Sequence, residues 1–352
     1  ATAAARFANA EEAFVYTRFS NPTVAMMERR LAALEGTSGC IATSSGMAAI
    51  TLLIMSLLKA GDHVVCSQSV FGSTIKLFQD FAKFGVETSF VSQTDVAQWK
   101  AALRPTTKLL FAESPTNPLT EVCDIQALAD LAHDAGALLL VDNCFCSPAL
   151  QQPVRFGADL VMHSGTKYLD GQGRVMAGAL CGDAQLLEEK FIPVMRSAGM
   201  SLSPFNAWVV LKGLETLQIR MRAQSEAALD LARWLEAQPA VARVYHPSLP
   251  SHPQHELAMA QQSGLGGAVV SFVVKGRDAD DARRSAFAVI DATHPFAAIM
   301  PFHAEHACKA EGVPLLAIRR DSWKPRAGDR WKSVPDIEAA AQALGDEPRR
   351  VL

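Results

Sequence analysis

The chain has 352 residues, 49% of them hydrophobic, enough to bury a sizeable core and to form two domains. Its formal charge is −3, from 33 basic and 36 acidic side chains, and no basic run marks a nucleic-acid or membrane surface, so a small-molecule enzyme is the natural class. Seven cysteines at scattered positions, an odd number without a CxxC pair, argue against a secreted disulfide framework and for reduced thiols in the cytoplasm.

Ala1 to Glu12 has no apolar core, so no signal peptide is expected, and no stretch approaches a membrane span. Tyr16-Thr17-Arg18-Phe19-Ser20-Asn21-Pro22 reads as an extended segment closed by Asn-Pro, with a helix over Thr23 to Gly36 behind it. Cys40 to Thr43 reads as a strand that runs through Ser44-Ser45-Gly46-Met47 into a helix, Ala48 to Leu58. Glycine at that junction lets backbone amides approach an anion at the positive helix end. Strand and helix then alternate: Asp62 to Ser67 with Thr74 to Phe84, Val86 to Val91 with Val96 to Leu103, Thr107 to Glu113 with Ile125 to Ala135. A further strand ends at Asp142. Apolar strands separated by amphipathic helices predict an α/β fold, a mostly parallel sheet covered by helices on both faces, with ligands outside the carboxyl ends of the strands.

The next strand, Asp159-Leu160-Val161-Met162-His163-Ser164, delivers Gly165-Thr166-Lys167-Tyr168 into a glycine-rich turn. Lys167 is the candidate catalytic residue, because a lysine near buried surface has its pKa lowered or is consumed by an aldehyde. Ser164 and Thr166, two apart on an extended chain, point the same way and suit one phosphate. Separately, a strand-end lysine reads as a snorkelling surface residue and a strand-end aspartate as a helix cap. In this order, lysine, hydroxyls, helix N-terminus and the buried acid Asp142 match the needs of pyridoxal 5'-phosphate: an aldehyde partner, a phosphate cup with Gly46 and Met47 as amide donors, and an anion that keeps the ring nitrogen protonated. Gly171-Gln172-Gly173 lacks nucleotide-binding spacing and reads as a turn. Helices follow over Gln185 to Ser197 and from Ser203-Pro204 to about Gln238. Strands are expected over Val241 to His246 and Gly267 to Val274, with helices over His255 to Gln262 and Asp280 to Ile290.

The sequence from Asp159 to Tyr168 resembles the lysine signature of the cysteine/methionine-metabolism family of pyridoxal-phosphate enzymes, and the resemblance runs from about Ala4 to about Thr293. Within that family, Ser69-Val70-Phe71-Gly72-Ser73-Thr74 and Asp142-Asn143-Cys144-Phe145-Cys146 are similar to the O-succinylhomoserine sulfhydrylases. The resemblance implies an aminotransferase-like large domain and a smaller C-terminal α/β domain: an extended segment 1–22 contacting a neighbouring subunit, a cofactor domain 23–220 and a small domain 221–352. It implies that an N-terminal arm carried by relatives is missing here. It implies that Tyr16 and Arg18 reach the phosphate of a neighbouring subunit's cofactor, so that active sites are shared in a dimer and the assembly is a tetramer. Ser45 joins Gly46 and Met47 at the phosphate, Phe71 stacks on the ring where relatives carry tyrosine, and Asn117 meets the ring oxygen and the substrate carboxylate. Phenylalanine stacks but exchanges no proton. Serine at position 73, where methionine-cleaving relatives tend to have cysteine, argues against a methionine γ-lyase. The implied reaction is γ-replacement, O-succinylhomoserine plus sulfide giving homocysteine and succinate. The alternatives are a cystathionine γ-synthase, a γ-lyase, or a cofactor-binding but inactive homologue.

From about His294 to Arg330 the sequence departs from the family, and a locally shifted reading frame is one account of it. Counting back from the family-like Ser333 to Glu338 puts Arg326 where relatives clamp the substrate α-carboxylate, with Arg319 and Arg320 as rivals. His303, His306 and Cys308 lack a fourth ligand and read as a surface loop, and Cys144 and Cys146 read as core packing, so no metal is expected.

Overall fold

The computed structural model describes residues 3–7, 13–276, 289–291, 309 and 315–317. The chain divides into two compact units, Ala1–Lys275 and Gly276–Leu352.

In the first unit the strands are β1 (Gly39–Thr43), β2 (His63–Ser67), β3 (Glu87–Val91), β4 (Thr107–Glu113), β5 (Leu138–Asp142), β6 (Leu160–Ser164) and β7 (Gly178–Gly182), followed by β8 (Val241–Tyr245) and β9 (Ser271–Val274). The helices are α1 (Ala3–Phe7), α2 (Pro22–Glu35), α3 (Gly46–Leu57), α4 (Gly72–Phe81), α5 (Val96–Ala102), α6 (Ile125–Asp134), α7 (Ser147–Leu150), α8 (Ala184–Leu186), α9 (Ile192–Ala198), α10 (Pro204–Leu214), α11 (Leu217–Glu236) and α12 (His255–Gln261). Seven strands form one sheet in the order β1-β7-β6-β5-β4-β2-β3. It is mostly parallel; β7 alone among its members runs antiparallel, to β1 and to β6. Strands β8 and β9 pair antiparallel in a separate two-stranded sheet.

Side-chain alternation divides the core. On β4, Leu109 and Phe111 join a cluster with Leu52, Leu53 and Phe78 of α3 and α4. Leu110 and Ala112, one residue out of phase, join Trp99, Leu128 and Ala132 of α5 and α6. On β1, β6 and β7 that second face is covered by Met27 and Leu31 of α2 and by Val210, Leu217 and Met221 of α10 and α11. With both faces buried, the strands read as continuous apolar runs.

The helix starts are written in the sequence. Asn21 accepts hydrogen bonds from Thr23 N and Val24 N ahead of Pro22, and Gly36, in the left-handed region with φ 78°, ends α2. Ser45 caps α3 and Asp124 caps α6 through side-chain oxygens. These caps fix where the chain turns from each strand end into the following helix.

Three expectations are corrected. The long helix after Pro204 is two helices broken around Glu215-Thr216, and residues 187–191 between α8 and α9 form a π-helical stretch. The expected division at 220/221 falls inside α11, whose Leu217 and Met221 pack in the main core, so the compact unit continues to Lys275. The helix expected over Asp280 to Ile290 lies largely outside the described residues, and Val289–Asp291 is a strand, β10. In the second unit β10 pairs parallel with β11 (Leu315–Ala317).

Candidate active site

The carboxyl ends of β4, β5 and β6 and the start of α3 surround a cleft of about 270 Å³. Ser45, Gly46, Met47, Phe71, Asn117, Asp142, Ser164, Thr166 and Lys167 all line it, so the sequence candidates from five separate segments meet in one place. Glu113, Thr74, Cys144, Phe145, Met162 and Met176 line it as well, and sequence reasoning did not single them out. For Glu113 a signal existed, because it is the last residue of a parallel strand, where ligands gather.

Close approach explains two glycines. A Cβ on Gly46 would stand 2.9 Å from Ser164 Cβ, and one on Gly178 only 2.1 Å from the Ser45 carbonyl oxygen. Lacking side chains there, the α3 N-terminus packs directly against the end of β6. Ser45 Oγ accepts the Ala48 amide at 3.1 Å. The amides of Gly46 and Met47 lie in the first turn, where a helix offers no intrahelical acceptor.

Lys167 does not stand on the strand. β6 ends at Ser164, and residues 165–170 form a turn in which Lys167 is exposed at the cleft mouth. Ser164 and Thr166 still face one cleft, through the turn and not through strand alternation. The turn is tied down from within: Lys167 N donates to Ser164 O at 3.1 Å and Gly171 N to Lys167 O at 2.8 Å. Thr166 Oγ1 accepts the Ala177 amide at 3.2 Å. The buried Asp170 takes Arg174 Nε at 2.8 Å and the Arg174 amide at 2.7 Å, while Arg220 donates to Tyr168 O at 3.0 Å. The lysine is carried on a braced loop.

Asp142 is 6% exposed. Burial pushes its carboxyl above the usual aspartate range, opposed by hydrogen bonds from the Cys144 thiol and amide and by the His163 charge. The Cys144 amide donates to Asp142 Oδ1 at 3.0 Å, and Cys144 Sγ accepts the Ser164 amide at 2.8 Å. Cys144 therefore links the two strand ends, whereas Cys146 is buried core packing as expected. On the opposite face of the sheet, His163 Nε2 lies 2.6 Å from Glu35 Oε1, which also accepts Asn143 Nδ2 at 3.0 Å. The neighbouring Glu113 is pushed up to about 8, first by burial and then by the Asp142 charge. Low dielectric around two adjacent carboxyls disfavours charging both.

Tyr16 and Arg18 do not line this cleft. Arg18 stacks over the rings of Tyr16 and Phe19 and donates to Arg196 O, and Tyr16 is 53% exposed. Arg326, Arg319, Arg320, His303, His306 and Cys308 lie outside the described residues. Among the described residues no group of His, Cys, Asp and Glu side chains could hold a metal ion, and no helix is long and apolar enough to cross a membrane.

The residues present fit pyridoxal phosphate. A helix N-terminus with open amides, a glycine cradle and two hydroxyls suit a phosphate; a lysine amine at the mouth suits an aldehyde; and a buried aspartate at the cleft suits a protonated ring nitrogen.

Comparison with known proteins bears on the same chemistry. The sequence profile of the family described as Cys/Met metabolism PLP-dependent enzyme matches residues 1–300. The chain is 58% identical over 294 residues to O-succinylhomoserine sulfhydrylase of Pseudomonas aeruginosa, covering 83% of this chain and 71% of that protein. It is 42% identical over 274 residues to L-methionine gamma-lyase of Porphyromonas gingivalis, covering 77% and 68%. The crystal structure of cystathionine gamma synthase from Xanthomonas oryzae pv. oryzae in complex with cystathionine superimposes with a TM-score of 0.74 at 39% identity, over 76% of this chain and 70% of that one. A second profile, Precorrin-6x reductase CbiJ/CobK, matches residues 268–352. That match covers the stretch after His294 where the sequence departs from the first family. It also places the family-like reading of Ser333 to Glu338, and the count that selected Arg326, inside a stretch similar to a different family.

Proposed function

The chain belongs to the Cys/Met metabolism family of pyridoxal-phosphate-dependent enzymes, and on that premise we propose that it catalyses γ-replacement on O-succinylhomoserine, with sulfide as nucleophile and homocysteine and succinate as products. The observation that carries the proposal is the 58% identity to a named sulfhydrylase over 294 residues. When bound, the cofactor supplies an aldehyde for the substrate amine and a cationic ring that accepts electrons.

The roles of this chain's residues follow from their chemistry. Lys167 Nζ holds the aldehyde and, once displaced by the substrate amine, moves protons at Cα and the neighbouring carbon. Asp142 keeps the ring nitrogen protonated. The Gly46 and Met47 amides, with the Ser45, Ser164 and Thr166 hydroxyls, hold the phosphate. Phe71 covers the ring face and, lacking a hydroxyl, leaves proton transfer to Lys167. Asn117 serves the ring oxygen and the substrate carboxylate. Tyr16 and Arg18, outside their own cleft, are suited to the phosphate of a neighbouring subunit, in a dimer with shared sites and a tetramer of two such dimers; Arg18 offers the planar fork that a dianion needs. The six described cysteines are all free thiols, which fits a cytoplasmic location.

One observation favours a second reading. Arg326 is the sequence candidate for the α-carboxylate, and it lies where the precorrin-6x reductase profile matches and beyond residue 300, where the family match ends. Without a carboxylate clamp the protein would bind cofactor and fail to turn substrate over.

Visible absorbance of the purified protein, before and after O-succinylhomoserine with and without sulfide, separates the readings. A band that shifts and yields homocysteine only with sulfide supports the sulfhydrylase. Ammonia and a keto acid without sulfide identify a γ-lyase, homocysteine replaced by cystathionine on adding cysteine identifies a γ-synthase, and a band that never responds identifies the inactive homologue.

A further inference from the structure

We propose that Glu113 is a positioning residue of the cofactor cleft: its carboxyl group ties the main chain that presents Phe71 to the end of β4, and so holds the ring-covering side chain in one frame with the strand ends. The proposal rests on reading the cleft as the pyridoxal-phosphate site.

Glu113 closes β4 in register with Asp142 at the end of β5, and it is 2% exposed. Its Oε2 accepts the Phe71 amide at 2.8 Å, and the Asn117 amide is near enough to favour its charged form. Its own carbonyl is fixed by Gln93 Nε2 at 2.5 Å. The carboxyl is thus anchored at the sheet and reaches the segment that carries Phe71 into the cleft.

Phe71 most needs such an anchor. Its ring is 57% exposed, so packing does not hold it, and it stands just ahead of α4 with no side-chain cap. What orients the ring is the direction of its backbone, and the Phe71 amide is the group Glu113 grips. The Asn117 amide lies in a loop with prolines at 115 and 118, which offer no amide of their own. Keeping a second acid buried beside Asp142 carries an electrostatic cost. A geometric task that needs an acceptor at this reach explains its presence.

The proposal separates reach from charge. In Glu113→Gln an acceptor oxygen stays at the same distance and the acid is lost; in Glu113→Asp the acid stays and the reach shortens by one methylene. Apoprotein of each is titrated with pyridoxal phosphate, reading the dissociation constant and the visible circular dichroism of the bound chromophore, which reports how the ring is held. Glu113→Asp is expected to bind about tenfold more weakly with reduced dichroism, the scale of one or two lost buried hydrogen bonds. Glu113→Gln is expected to stay within about threefold with its dichroism kept. Wild-type affinity and dichroism in Glu113→Asp would overturn the proposal. So would loss of dichroism in a folded Glu113→Gln, a test that stands even if the aspartate variant does not fold. No substrate is used, so failure of the sulfide reaction leaves the outcome unaffected.

Discussion

Gly178→Ala tests whether close backbone packing builds the phosphate cup. Gly178 opens β7 between Thr43 of β1 and Ser164 of β6. An added Cβ would lie 2.1 Å from the Ser45 carbonyl oxygen, 2.4 Å from its carbon and 2.5 Å from Thr43 Oγ1. Ordinary contact needs 3.4 Å, so Ser45 or β7 must move by more than an ångström. The Ser45 carbonyl cannot yield freely, since it accepts Thr43 Oγ1 at 2.8 Å and the Ala49 amide, the first bond of α3, at 3.0 Å. Overpacking costs about 1–3 kcal/mol, and one strained helix-start bond adds about 1, for a total of about 3 kcal/mol. For a unit of this size that lowers the apoprotein Tm by about 6–12 °C. The same shift carries the Gly46 and Met47 amides away from the phosphate, and affinity for pyridoxal phosphate is expected to fall at least about tenfold. Gly72→Ala is the control: nothing lies within 4 Å of its Cβ, it sits in the first turn of α4, and the effect is expected within about 0.5 kcal/mol. Thermal unfolding and cofactor titration decide the matter. A Gly178→Ala protein with wild-type Tm and wild-type affinity would refute the reasoning.

Lys167→Ala is expected to abolish the covalent visible chromophore while changing stability by less than about 1 kcal/mol, because the side chain is exposed; absorbance and thermal melts check it, and a persistent band would move the catalytic role to another amine. The Glu113 carboxyl, at about 8 in the fold against 4.5 as its ordinary value, holds a proton that the unfolded chain releases at lower pH. Stability from this group is present below pH 4.5 and is lost as pH rises to about 8, with a ceiling of about 5 kcal/mol and an expected loss on the order of 2–3 once the proton is shared with Asp142. Denaturant unfolding of the apoprotein at several pH values should show that slope flattened in Glu113→Gln, and identical slopes would mean that Glu113 does not titrate there. Phe111→Ala removes a fully buried ring that meets Phe78 edge-on at 5.4 Å, and equilibrium unfolding should report a loss of about 3–5 kcal/mol.

The sheet was legible because its strands are apolar runs closed by caps and turns. Thr107–Glu113 was read to the residue, and the helix starts at Asn21, Ser45 and Asp124 carry their own chemistry. Most of the nine candidates that line the cleft were legible because they sit at or just past a strand end or at a helix start, where a parallel sheet gathers its ligands, whereas Asn117, in a loop, was legible only through the family resemblance. What could not be read was lateral adjacency. That Glu113 stands beside Asp142, or that Cys144 takes the Ser164 amide, depends on β5 lying between β4 and β6, and strand order is not a local property of sequence. Ser164 and Thr166 were placed on one extended chain because alternation suggested it. The Asp170–Arg174 link, which folds that stretch into a turn, spans only four residues, yet its geometry is set by Arg220 arriving from α11.

The expected division at 220/221 meets the same limit. A helix looks like a place to divide a chain when only its own amphipathic face is visible, but Leu217 and Met221 bury that face in the main core. Every residue assigned to the cofactor lies between Tyr16 and Lys167, inside the first unit and ahead of position 268, where the second profile begins. Every candidate for the substrate carboxylate other than Asn117 lies after position 300. The proposed cofactor residues and, Asn117 apart, the proposed carboxylate residues therefore fall in separate stretches of this chain. The residues proposed to hold the phosphate and the ring are placed by β-strand register and helix caps of the first unit, so a visible chromophore would report on that unit. Its response to an amino acid reports on whether Asn117 is enough to hold a carboxylate or needs an arginine from beyond residue 300.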